Sequence, residues 1–149
     1  MITGKEYANI GALCIGEHGG GALRLYESMT YGGVPLELTQ EEQSQIEREC
    51  GEWFRHWTDL ETGTTTGYTS GVTMSMMVEA IVKDRDLILP CSTPLCEHLG
   101  YSSCAMGLPV KLGSGGVKEV IIPQLTPERR LELDKVVEKI SGMIASANY

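Results

Sequence analysis

The chain has 149 residues, 42% hydrophobic and 21% charged, with a formal net charge of −8. That length suits one domain with its own core, and an acidic balance without a Lys/Arg-rich stripe argues against nucleic-acid binding. No apolar run approaches the roughly 20 residues of a bilayer span, and residues 1–6 carry no basic-then-apolar leader pattern, so no membrane role and a cytoplasmic location are expected.

Residues Ile10-Gly11-Ala12-Leu13-Cys14-Ile15 read as a buried strand, a short apolar run broken by glycine. It leads into Gly16-Glu17-His18-Gly19-Gly20. A histidine between glycines at a strand's end packs poorly but suits proton transfer, because its unperturbed pKa is roughly 6.5. Loops held by rigid strands commonly carry catalytic groups; the plainer account of His18 is a hydrogen-bonded turn residue. Leu23 to Tyr31 reads as a second strand, with Gly32-Gly33 and Pro35 marking the turn out of it.

Thr39, with Glu42 three residues on, forms a capping box that opens a helix. Its apolar stripe is Ile46, Cys50, Trp53, Trp57 and Leu60. The tryptophans are expected in the core, and His56 beside them in a structural role. Thr62 to Gly71 is rich in threonine and glycine, which weakens a helix; one is expected to take hold by Val72 and run to Asp84, with Met76, Met77, Ala80 and Ile81 at helical spacing and the methionines as flexible core filler. Thr64, Thr65 and Thr66 can also be read as a polar helix-start cluster.

Leu87 to Leu89, Ser102 to Leu112 and Val117 to Ile122 read as strands, and Gly113-Ser114-Gly115-Gly116 as a hairpin turn. These glycines are not a phosphate cradle, which would need a helix N-terminus directly after it. A last helix opens with Thr126 as N-cap, Pro127 at its first position and Glu128 in its first turn, with Leu133, Val137, Ile140 and Ile144 as its buried face. Strands and helices fall in separate blocks without βαβ alternation, which predicts an α+β fold over residues 1–149.

Five cysteines make an odd count in a chain that needs no staples, so reduced thiols are expected. Cys91, Cys96, His98 and Cys104 are residue types that zinc uses, but the usual paired C-x-x-C spacing is missing. A metal site is therefore not assigned, and a zinc or thiol enzyme built on these four is the weakest of three readings.

The run IGEHGGGALRLYESMTYGGVPL, from Ile15 to Leu36, resembles the catalytic histidine loop of the lactate/malate dehydrogenase family, where an apolar strand meets GEHGD and a GGVPL-like segment follows. Met77 to Ser92 resembles that family's long helix and LPCS strand. Gly107-Leu108-Pro109-Val110-Lys111-Leu112-Gly113, Gly116-Val117 and the final helix resemble its GVPVKLG hairpin and C-terminal helix. The resemblance covers nearly the whole chain and implies the family's C-terminal, substrate-binding and catalytic domain. By that resemblance His18 is the acid/base that exchanges a proton with a small 2-hydroxy or 2-keto acid while NAD exchanges hydride. One of Thr64, Thr65 and Thr66 faces the substrate, and the chain forms a homo-oligomer. Malate is favoured over lactate.

The departures bear on activity. Gly20 stands where the family usually has aspartate, and Arg24 where it usually has proline. No GxGxxG fingerprint occurs in the chain. The family's carboxylate partner of the histidine and its substrate-clamping arginines lie upstream of the point matching Met1. The resemblance therefore implies a chain inactive alone, using NAD only with an upstream or separate Rossmann-domain chain. The alternative is a non-catalytic binding or oligomerisation module derived from that domain.

Overall fold

The computed structural model describes residues 4–61, 63, 67–94, 100–101 and 104–147. Among these the chain is α+β, with antiparallel strands and three α-helices, and it divides into two compact units, 1–13 with 25–69 and 14–24 with 70–149.

The first unit holds β1 (Ile10–Gly11), β4 (Thr30–Tyr31) and β5 (Val34–Pro35) in an antiparallel sheet of order β1-β4-β5. It also holds α1 (Gln40–Asp59), whose capping box is complete: Thr39 Oγ1 accepts from the Glu42 amide at 3.2 Å, and Glu42 Oε2 accepts from the Thr39 amide at 2.8 Å. Tyr26 is buried, and its hydroxyl donates to Glu47 at 2.7 Å, tying the 3₁₀ turn Tyr26–Ser28 to α1. The expected strand from Leu23 to Tyr31 is thus two short strands on either side of that turn, because Tyr26 is drawn out of a ladder by its hydrogen bond. The apolar stripe of α1 is not core, since none of its residues is buried and Trp53 is 52% and Leu60 68% exposed. His56 is exposed, with Nε2 3.5 Å from Glu52 one turn earlier.

The second unit carries a five-stranded antiparallel sheet of β2 (Cys14–Gly16), β3 (Ala22–Arg24), β6 (Leu87–Thr93), β7 (Met106–Gly113) and β8 (Gly116–Val120), in path β3-β2-β7-β6 with β8 also on β7. The expected single strand from Ile10 to Ile15 is therefore split between two sheets, and only its end, with Ile15 at 1% exposure, enters this one. Strand β7 is the spine: Met106, Leu108, Val110 and Leu112 alternate into the core. Pro90 of β6 faces Pro109 of β7. A ladder bonded through that pair would need both missing N–H groups, so the pair is of the non-bonded kind. Pro109 falls between Gly107, which pairs β2, and Val110, which pairs β8, where no amide is demanded.

Helix α2 (Gly67–Val82) starts five residues before the expected Val72, and its residues from Ser70 belong to this unit. Ala80 is fully buried in a cluster with Leu89, Val110 and Leu112, and Met77 packs against it, but Met76 is exposed and not core filler. Helix α3 (Pro127–Ser146) has the expected Thr126 cap and Pro127 start, and buries Leu133, Val136, Val137 and Ile140; Ile144 is 49% exposed. Full burial of such side chains contributes roughly 1.5–3 kcal/mol each.

Candidate active site

The segment from Glu17 to Gly21 is the turn of the β2–β3 hairpin, whose register pairs Cys14 with Arg24, Ile15 with Leu23 and Gly16 with Ala22. His18 lies at the exposed end of this hairpin. The tightness of the turn comes from its glycines. Gly16 has φ +95°, and a Cβ there would lie 2.8 Å from the carbonyl oxygen of Gly21. A Cβ on Gly21 would lie 2.6 Å from Glu17 Oε2 and 3.0 Å from Glu17 Cβ. Only residues without a side chain allow the two strands to close this near to each other. Inside the turn the Ala22 amide donates to the Gly19 carbonyl at 3.1 Å.

Two neighbours brace the hairpin. Gly107 of β7 pairs with Gly16, and a Cβ on Gly107 would lie 3.2 Å from the Gly16 carbonyl oxygen. Helix α3 supplies Val136, whose Cγ1 would sit 3.5 Å and 3.4 Å from a Cβ on Gly16 and Gly21. One turn later Lys139 Nζ donates to Glu17 Oε2 at 2.7 Å. The result is a histidine exposed to whatever enters, on a turn held from beneath by a central strand and a helix.

Of the residues singled out from sequence, His18, Gly20 and Arg24 belong to this one hairpin. Thr64, Thr65 and Thr66 lie outside the described residues, as do Cys96 and His98 of the cysteine-histidine group. Cys91 is on β6, half-buried against the Ala80 cluster, and burial pushes its thiol up, away from the thiolate a nucleophile needs. Among the described residues no three His, Cys, Asp or Glu side chains converge on a metal-sized site, and Cys50, Cys91 and Cys104 are free thiols. Lys139 was not singled out by sequence reasoning, and Gly107 only as the first residue of the GVPVKLG-like segment. Lys139 is 122 positions from Glu17, and its one local signal is its place three residues after the buried Val136, on the same face of α3.

The description "lactate/malate dehydrogenase, alpha/beta C-terminal domain" matches residues 2–148. Malate dehydrogenase of Halobacterium salinarum is 33% identical over 134 residues, covering 90% of this chain and 43% of that protein. The structure of malate dehydrogenase from Aeropyrum pernix superposes with a TM-score of 0.87 at 25% identity, over 97% of this chain and 49% of that one. Lactate dehydrogenase from Cryptosporidium parvum, solved with lactic acid and β-nicotinamide adenine dinucleotide, gives 0.84 at 28% identity, over 98% of this chain and 49% of that one. The chain thus spans just under half the length of the relatives it matches. With a matching family profile along nearly its full length, the chain belongs to the lactate/malate dehydrogenase family, as its α/β C-terminal domain.

Proposed function

We propose that this chain is the substrate-side, proton-transferring half of a dehydrogenase acting on a small 2-hydroxy acid, with malate favoured over lactate. The observation that carries the reading is the braced hairpin that presents His18 to solvent in a chain of this family. The imidazole accepts the proton of the substrate hydroxyl in the oxidising direction and returns it to the carbonyl oxygen in the other. By the same family resemblance we assign substrate binding to one of Thr64, Thr65 and Thr66.

The described residues offer a dinucleotide no cradle. The glycine-rich turn at Ser114-Gly115 leads into β8, not a helix N-terminus, and its Ser114 amide already donates to Asp84 Oδ1 at 2.8 Å. NAD, which would supply the hydride exchange, is therefore assigned to a dinucleotide-binding domain beyond these residues. Alone, the chain is expected to be inactive, because an imidazole without an orienting carboxylate and a substrate without an arginine clamp lose positioning as well as charge. We further place the working protein in the cytoplasm as a homo-oligomer. The module reading is favoured by Gly20 and Arg24, both departures within the hairpin that carries His18.

The test is NADH oxidation with oxaloacetate and with pyruvate, by the chain alone and after co-expression with the dinucleotide-binding half of a relative. The chain alone should show no turnover, and the pair should show it, with His18→Gln reducing kcat about 10²–10⁴-fold. Turnover untouched by that substitution removes His18 from the mechanism. A well-folded pair without turnover supports the module instead.

A further inference from the structure

We infer that Lys139 of helix α3 is a positioning residue for His18, acting through Glu17. The inference rests on the reading of His18 as the proton-transferring group. Glu17 directly precedes His18, so whatever fixes its side chain also fixes the backbone from which the imidazole projects. The Lys139 ammonium holds Glu17 Oε2 at 2.7 Å, and the Glu17 side chain is the less exposed partner, at 23% against 54%. The carboxylate lies over Gly21, across the base of the same turn, where any side chain would displace it. Val136, one helical turn before Lys139, closes against the positions of Gly16 and Gly21. The helix thus meets the turn with an apolar contact at its base and a charge-assisted hydrogen bond at the residue before the histidine.

A pair this accessible adds little to global stability. Its effect is local, because the glycines that let the turn close also leave it few side chains to hold it. Glu17 reaches a partner on another element, Lys139 of α3. A misplacement of about 1 Å at a reacting group can lower a rate about 10²-fold, so an ion pair that is almost neutral for folding can still matter for turnover. The pair also keeps a bare carboxylate from standing next to the imidazole.

The experiment compares Lys139→Ala, Glu17→Gln and Lys139→Arg with the parent chain. In the isolated chain, amide hydrogen exchange from residue 17 to 22 should quicken roughly fivefold in Lys139→Ala and Glu17→Gln, with β6–β7 amides unchanged, and return to the parent rate in Lys139→Arg. Joined to a dinucleotide-binding half, Lys139→Ala should lower kcat about tenfold with KM changed less than about twofold, and Lys139→Arg should restore it. Turn amides that exchange no faster in Lys139→Ala overturn the inference. So does an unchanged kcat in that variant when His18→Gln abolishes turnover. Turnover that survives His18→Gln overturns the functional reading itself, an outcome separable from the exchange result.

Discussion

Gly16 and Gly20 occupy the same hairpin, yet side chains there would meet opposite surroundings. At Gly16 the backbone is left-handed at φ +95°, and an added Cβ would strike the Gly21 carbonyl oxygen at 2.8 Å. Neither strain can be relieved by turning a side chain, so Gly16→Ala should destabilise the chain by about 1–3 kcal/mol, read as a lower urea midpoint. At Gly20 no heavy atom lies within 4 Å of an added Cβ. Gly20→Asp, which restores the residue usual in the family, should leave the unfolding free energy from urea denaturation within about 0.5 kcal/mol of the parent. A large loss there would mean that the turn needs glycine at this point for its backbone. The exposed turn position of His18 was legible in the sequence because Gly16 and Gly19 near it remove any packing reason for it. Lys139 was not, because a contact across 122 positions has no local pattern.

Among the elements, the clearest electrostatic tie in the second unit joins the end of α2 to the β7–β8 hairpin. Lys118 Nζ donates to Asp84 at 2.5 Å and to Asp86 at 2.7 Å, and the Ser114 amide donates to Asp84 at 2.8 Å. The Lys118 hydrogen bond, and then the Ser114 amide, hold the Asp84 carboxyl below its ordinary 3.8. A depressed carboxyl favours the folded state where it is ionised. Its stabilisation is therefore complete above the unfolded value near 3.8 and is lost as pH falls through the lower folded value. Acid unfolding of Asp84→Asn should accordingly be less steep below pH 3.8 than that of the parent, and added salt should narrow the difference, because the groups are exposed. Where element signals were local they were read correctly: the capping box of α1, the Thr126-Pro127 start of α3 and the glycine turn between β7 and β8. Where an element's limits depend on partners they were not. Tyr26 left the ladder for Glu47, and α2 extended back to Gly67 through a stretch of poor helix formers.

At the scale of the whole molecule, both long helices before the sheet expose apolar side chains: Trp53, Phe54 and Leu60 on α1 and near its end, and Tyr68, Val72 and Val82 on α2. Apolar exposure of this extent usually marks surface that is covered in the working assembly. The purified chain should therefore associate as its concentration rises, with a sedimentation coefficient that increases over the micromolar range and falls for Trp53→Glu; a constant monomeric value would exclude these faces as an interface. The sequence by itself determined the α+β class, the family, the caps, the hairpin glycines and the exposed turn position of His18, because each is written in neighbouring residues: periodicity, a capping box, an ordered set of short motifs. Only the tertiary structure decided that the first apolar run divides between two sheets, that the α1 stripe stays outside any core, and that α3 reaches back to the turn through Val136 and Lys139. Those outcomes depend on which surfaces meet between residues well separated along the chain, and burial and charge pairing of that kind leave no period or spacing to read.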